Sequence, residues 1–92
     1  MTVLRKRVLV SGFVQGVFFR DSCRSEAQRA GVAGWVRNLS DGRVEAVFEG
    51  GPDAVGRLVR WAHHGPPHAA VRDVDVFDEE PEGLSRFEVR WG

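Results

Sequence analysis

Ninety-two residues, 42% of them hydrophobic and 28% charged, predict one globular domain spanning 1–92, large enough to fold without disulfides or a structural metal. Thirteen basic and thirteen acidic side chains cancel, which removes the global field that would hold nucleic acid or an anionic membrane and leaves room only for a local anion site. One cysteine, Cys23, cannot form an internal disulfide, and the basic N-terminus is not followed by the apolar run of a signal or a membrane span; a cytoplasmic protein is expected.

In chain order, Val8-Leu9-Val10 reads as a buried strand ending at Gly12. The segment Gly12-Phe13-Val14-Gln15-Gly16-Val17-Phe18-Phe19-Arg20 follows as a loop. Residues 21–30 read as a helix, because Cys23, Ala27 and Ala30 recur at helical spacing that extends back to Phe19. Asp21 or Ser22 is placed to cap its start and Gly31 its end. Two strands, 34–39 and 43–49, flank the hairpin signal Ser40-Asp41-Gly42, since Asp and Gly tolerate the positive φ of tight turns. In the second strand Val44, Ala46 and Phe48 face one way and Glu45 and Glu49 the other, predicting one packed face and one wetter face.

Gly50-Gly51-Pro52-Asp53 opens a second helix with the apolar stripe Val55, Leu58, Val59 and Ala62, and Gly65-Pro66-Pro67 stops it. A strand over 71–77, an acidic turn over 78–83 expected to be solvated, and a short alternating strand over 86–91 complete the chain. The order predicts an α+β, ferredoxin-like βαββαβ sandwich: an antiparallel sheet, two helices on one face and a short C-terminal strand.

The loop before the first helix needs an explanation for Arg20. Glycines at 12 and 16 let consecutive N–H groups turn inward, a helix N-terminus adds unpaired N–H groups, and an arginine fork can grip two phosphoryl oxygens at once. The alternative is an ordinary glycine turn followed by a surface arginine. Asn38, at a strand end before a turn, can both accept and donate to a held water, or can simply form the turn. Nucleotide-loop patterns of the Gly-x-x-x-x-Gly-Lys-Ser/Thr and Gly-x-Gly-x-x-Gly types are not found.

The segments 12–20 and Gly34-Trp35-Val36-Arg37-Asn38-Leu39-Ser40-Asp41-Gly42-Arg43-Val44-Glu45 resemble the two signature segments of the acylphosphatase family. Length, element order and the Gly65-Pro66-Pro67 turn resemble it too, so the resemblance spans essentially the whole chain. It implies hydrolysis of the carboxyl–phosphate bond of acyl phosphates by in-line attack of water. It also implies phosphate binding by Gln15, Gly16, Val17, Phe18, Phe19 and Arg20, catalysis by Arg20 and Asn38, and no cofactor or metal. Partners would be a small acyl phosphate and inorganic phosphate as product and inhibitor, with neither nucleic acid nor membrane, and a monomer is expected.

The other chemistry-bearing residues carry less. His63, His64 and His68 lose helical register at Pro66 and Pro67 and read as helix C-terminal charges. Cys23 has no local base and reads as core filler. Trp35, Trp61 and Trp91 read as core packing, and Arg37 and Arg43 as solvated hairpin charges. Two competing functions follow. A phosphate-sensing module would keep the same pocket, as in the N-terminal domain of carbamoyltransferase maturation proteins, but the absence of further segments after Gly92 favours a free-standing enzyme. An RNA-binding sheet would require a basic surface and an aromatic motif that the neutral composition does not supply.

Overall fold

The computed structural model describes residues 2–91, so Met1 and Gly92 of the expected 1–92 domain lie outside the described residues. Its elements are β1 (Leu4–Phe13), α1 (Phe19–Ala30), β2 (Ala33–Asn38), β3 (Val44–Gly50), α2 (Pro52–Ala62), β4 (Ala70–Glu79) and β5 (Phe87–Arg90). The five strands form one sheet in the order β4-β1-β3-β2-β5. Neighbours are antiparallel except at one edge, where β5 runs parallel to β2 and makes the sheet mixed. The antiparallel expectation holds for the first four strands and gives way at the fifth. No described helix is long and apolar enough to cross a membrane.

The inner face is set by period-2 alternation. Val8, Val10, Val36, Val44, Ala46 and Phe48 meet Phe19, Cys23, Ala27, Val55, Leu58 and Ala62 from the helices in one core. Burying a side chain such as Leu58 or Phe48 contributes about 2 kcal/mol. Phe48 stacks on Phe87 with ring centroids 6.0 Å apart, which docks the short β5 onto the core. Cys23 is fully enclosed there, and burial pushes its thiol well above the ordinary range, consistent with core filling and not with a nucleophile.

The outer face departs from the wetter surface expected of it. Glu45, Val47 and Glu49 are all buried there, although no helix covers them. Long side chains form the cover instead. Arg7 pairs with Glu45 and Glu79, lies over the Phe77 ring, and faces Val47 across the β1–β3 register. Trp35 faces Val47 from β2, with Arg37 and Arg90 stacked on its ring, so this tryptophan is outside the helix-facing core.

Arg5, 6% exposed, reaches Glu49 at 3.4 Å, Glu79 at 2.9 Å and Glu82 at 3.2 Å. Glu49 also accepts hydrogen bonds from the Glu82 and Leu84 backbone N–H groups. The acidic segment keeps most of its side chains exposed, as expected, but it is also pinned through its backbone and Glu79, and the reason is topological. The chain must travel from β4 at one edge of the sheet to β5 at the other, and Glu49 at the end of the central strand anchors that crossing.

Arg5→Ala would leave Glu49, Glu79 and Glu82 without their shared cation, and we expect it to lower the unfolding free energy by about 3 kcal/mol in urea denaturation. Burial alone would raise the Glu49 carboxyl, but the Glu82 and Leu84 amides and Arg5 outweigh it and hold it below 4.5. Arg5, opposed by burial and aided by Arg7, holds Glu79 below the same value. Depressed folded-state values contribute stability that is complete above the unfolded carboxylate range and is lost as pH falls through the folded values. Stability should thus be flat above about pH 5.5 and decline at more acid pH, with a smaller acid-dependent component in Arg5→Ala; an unchanged acid profile in the variant would contradict this account.

Candidate active site

Three carboxy-terminal strand ends meet on one side of the sheet. β3 is antiparallel to both β1 and β2, and β5 is parallel to β2. The loop after β1, Asn38 at the end of β2, and Trp91 just past β5 therefore share an end. There they line a cavity of about 250 Å³ together with Val14, Gly16, Phe18, Phe19, Arg20 and Asp21.

The loop is shaped by a few residues. At Gly12 the β1–β4 register shifts in a bulge, and with φ of 124° a side chain there would run into the Ala70 carbonyl. Gly16, at φ 74°, has open space around it, so its requirement is conformational only. Val17 and Phe19 are buried, and Phe19 packs on Trp61 with centroids 5.1 Å apart, fastening the loop to the core at both points. Between them Phe18 adopts the left-handed conformation, φ 63° and ψ 25°, and serves as the N-cap of α1.

Neither Asp21 nor Ser22 caps the helix as expected, because the helix begins at Phe19 and both lie inside its first turns. No side chain caps this terminus. Among the described residues the N–H groups of Gly16, Val17 and Phe18 donate to no protein acceptor, and the first helical amides have none within the helix. The result is a row of unpaired donors beside a partial positive charge.

Arg20 is half-buried, and its guanidinium lies 4.1 Å from the centroid of the Trp91 ring. Among the described residues it has no carboxylate partner, in contrast to Arg5, Arg7, Arg37 and Arg43. Arg37 pairs with Glu45 at 2.7 Å and Arg43 with Asp41 at 2.8 Å. Asp41, whose carboxyl the Arg43 side chain holds below its usual range, steadies the hairpin by accepting the Arg43 N–H, while only Gly42 takes positive φ. Asn38 is half-buried on the cavity wall, and its amide makes no hydrogen bond among the described residues.

Gln15 takes a role that its place in the loop did not reveal. Its Nε2 donates to the Leu39 carbonyl at 2.8 Å and to the Arg43 carbonyl at 3.0 Å. The side chain thus ties the loop to the Asn38 hairpin, and from this residue only the main chain is left to face a phosphate. Trp91 was also missed as a cavity residue, since a terminal tryptophan in an alternating strand reads as core. Of the three tryptophans only Trp61 packs with the helix-facing core. The histidines are exposed, with His63 Nδ1 donating to the Val59 carbonyl at the end of α2. Among the described residues no three His, Cys, Asp or Glu side chains gather as metal ligands would.

A family model described as Acylphosphatase matches residues 6–89. An acylphosphatase of Rubrobacter xylanophilus is 67% identical over 87 residues, covering 94% of this chain and 79% of the relative. Another, of Gloeobacter violaceus, is 61% identical and covers 96% and 95% respectively. The solved structure of an acylphosphatase from Coxiella burnetii superposes with a TM-score of 0.92 at 45% identity, over 96% of this chain and 93% of that one.

Gln15→Ala should cost about 1 kcal/mol of stability and speed amide hydrogen exchange at Leu39 and Gly42, the two N–H groups of the tied turn. Exchange unchanged at both amides would show that the tie does not brace the hairpin.

Proposed function

The chain belongs to the acylphosphatase family and hydrolyses the carboxyl–phosphate bond of acyl phosphates, and from that premise we propose how its residues divide the work. The observation that carries the division is the meeting of unpaired loop amides, an uncommitted arginine and an uncommitted asparagine on one cavity. The main-chain N–H groups of Gln15, Gly16, Val17, Phe18, Phe19 and Arg20 receive the phosphoryl oxygens. Arg20 closes the cradle with two parallel hydrogen bonds.

Asn38 holds the attacking water by accepting from it through Oδ1 and fixes it in line with the bond to be broken. Oxygen of water attacks phosphorus while the phosphorus–oxygen bond to the acyl group breaks, its electron pair leaving on the carboxylate. The water's proton passes to a phosphoryl oxygen. A carboxylic acid has a pKa of about 4, so the departing carboxylate needs no general acid. Transition-state charge spreads over the equatorial phosphoryl oxygens, where amides, helix N-terminus and arginine already point, and this electrostatic stabilisation supplies most of the rate.

The finer partner assignments are part of the same proposal. Product phosphate occupies the cradle and inhibits competitively, the enzyme acts as a monomer, and neither nucleic acid nor membrane takes part. A cytoplasmic setting fits the single cysteine, carried as a free buried thiol.

Kinetics with EDTA present separate the two roles. Arg20→Ala should lose phosphate affinity and about a thousandfold or more in turnover, whereas Asn38→Ala should keep its phosphate inhibition constant and lose about a hundredfold or more in kcat. Near wild-type turnover by Asn38→Ala would end the water-positioning role, and an acid-stable phosphoenzyme would end the direct-attack mechanism.

A further inference from the structure

The acyl part of the substrate has to leave the cradle past whatever stands at the cavity mouth, and that surface differs chemically from the phosphate-binding amides. Val14 and Phe19 line the cavity but are buried, at 1% and 2% exposure. The large side chains left open to solvent on the lining are Phe18, 76% exposed, and Trp91, 78% exposed. Neither ring stabilises the core. The third exposed side chain there, Asp21, is occupied by Arg24 at 3.8 Å.

Phe18 is unfavourable for the fold in two respects. It is the one described non-glycine residue with positive φ, a strained backbone for a bulky side chain, and its ring is held out in water without a packing partner. Strain of this kind persists where the conformation serves a site, and exposed apolar surface beside a cleft marks ligand contact. Trp91 uses one part of its surface to stack on Arg20 and leaves the rest at the same mouth. An aromatic pair at the exit of a phosphate cradle suits a ligand with a charged head and a flat apolar body.

We propose that Phe18 and Trp91 form a seat for the acyl group, which makes the enzyme selective for acyl phosphates with aromatic or extended apolar acyl groups over those with small ones. The proposal rests on the acyl-phosphate reading of the cavity. It assigns the two rings to specificity, with the chemistry left to Arg20 and Asn38.

The test compares kcat/KM for benzoyl phosphate and acetyl phosphate, each divided by its uncatalysed hydrolysis rate, in the full chain and in Trp91→Ala, Phe18→Ala and Trp91→Phe. The wild type should favour benzoyl phosphate. Each alanine variant should lower the benzoyl-to-acetyl ratio about tenfold, the size of one lost aromatic contact, with the change carried mainly by KM, and Trp91→Phe should restore most of it. If Trp91 acts only by holding Arg20, both substrates fall together, phosphate inhibition weakens and the ratio stays constant, which overturns the seat. Absence of turnover on either substrate by the wild type would instead overturn the underlying acyl-phosphate reading. Both rings are exposed, so truncation threatens the fold little, and the Phe18 and Trp91→Phe variants carry the test should Trp91→Ala be unstable.

Discussion

Strand β3 pairs antiparallel with β1 on one side and β2 on the other, and the site depends on that arrangement. With β3 between them, β1 and β2 run the same way although they are far apart in hydrogen bonding, and β5 follows β2. Loop, Asn38 and Trp91 thereby come to one end from three separate stretches of sequence. The opposite end receives the C-terminal ends of β3 and β4 and the long crossing to β5, with its own anchor at Glu49. The site and the long crossing to β5 lie at opposite ends of the sheet, while the β2–β3 hairpin turn belongs to the site end.

Two kinds of burial hold this strand in place. Six consecutive residues, Val44–Glu49, are buried, the apolar ones on the helix side by ordinary hydrophobic packing. On the other side the cover consists of arginines, whose stems shield Val47 and whose heads neutralise Glu45 and Glu49. A buried ion pair gains little over an apolar pair of the same shape, but an incomplete one is costly. Such a lattice therefore favours one register of β1, β3 and β4: a one-residue slip would turn every carboxylate of β3 toward the helices.

Much of this could be read from local chemistry. The glycine-bounded loop ending in Arg20, the turn after Asn38 and the Gly50-Gly51-Pro52 start of α2 all carry short-range signals, and period-2 alternation marked the inner face of β3. What escaped depends on distant partners. The parallel pairing of β5 reflects which edge the chain reaches, and no residue in 86–91 encodes that. Glu45 and Glu49 alternate as solvated residues do, and the arginines of β1 and β2, with the 82–84 backbone over Glu49, cover them. Phe18 carries no sign of a left-handed backbone, because glycine and asparagine, not phenylalanine, announce that conformation. Trp91 lies beyond the sheet's last ladder rung, where alternation stops deciding burial.

The four-residue β5 is held by hydrogen bonds on one flank only, while the loop and Asn38 rest on interior strands. Edge segments open at lower free energy than the centre of a sheet. Warming should therefore loosen Trp91 before it disturbs the cradle, and on the proposed division of labour the heated enzyme becomes less selective while it still turns over.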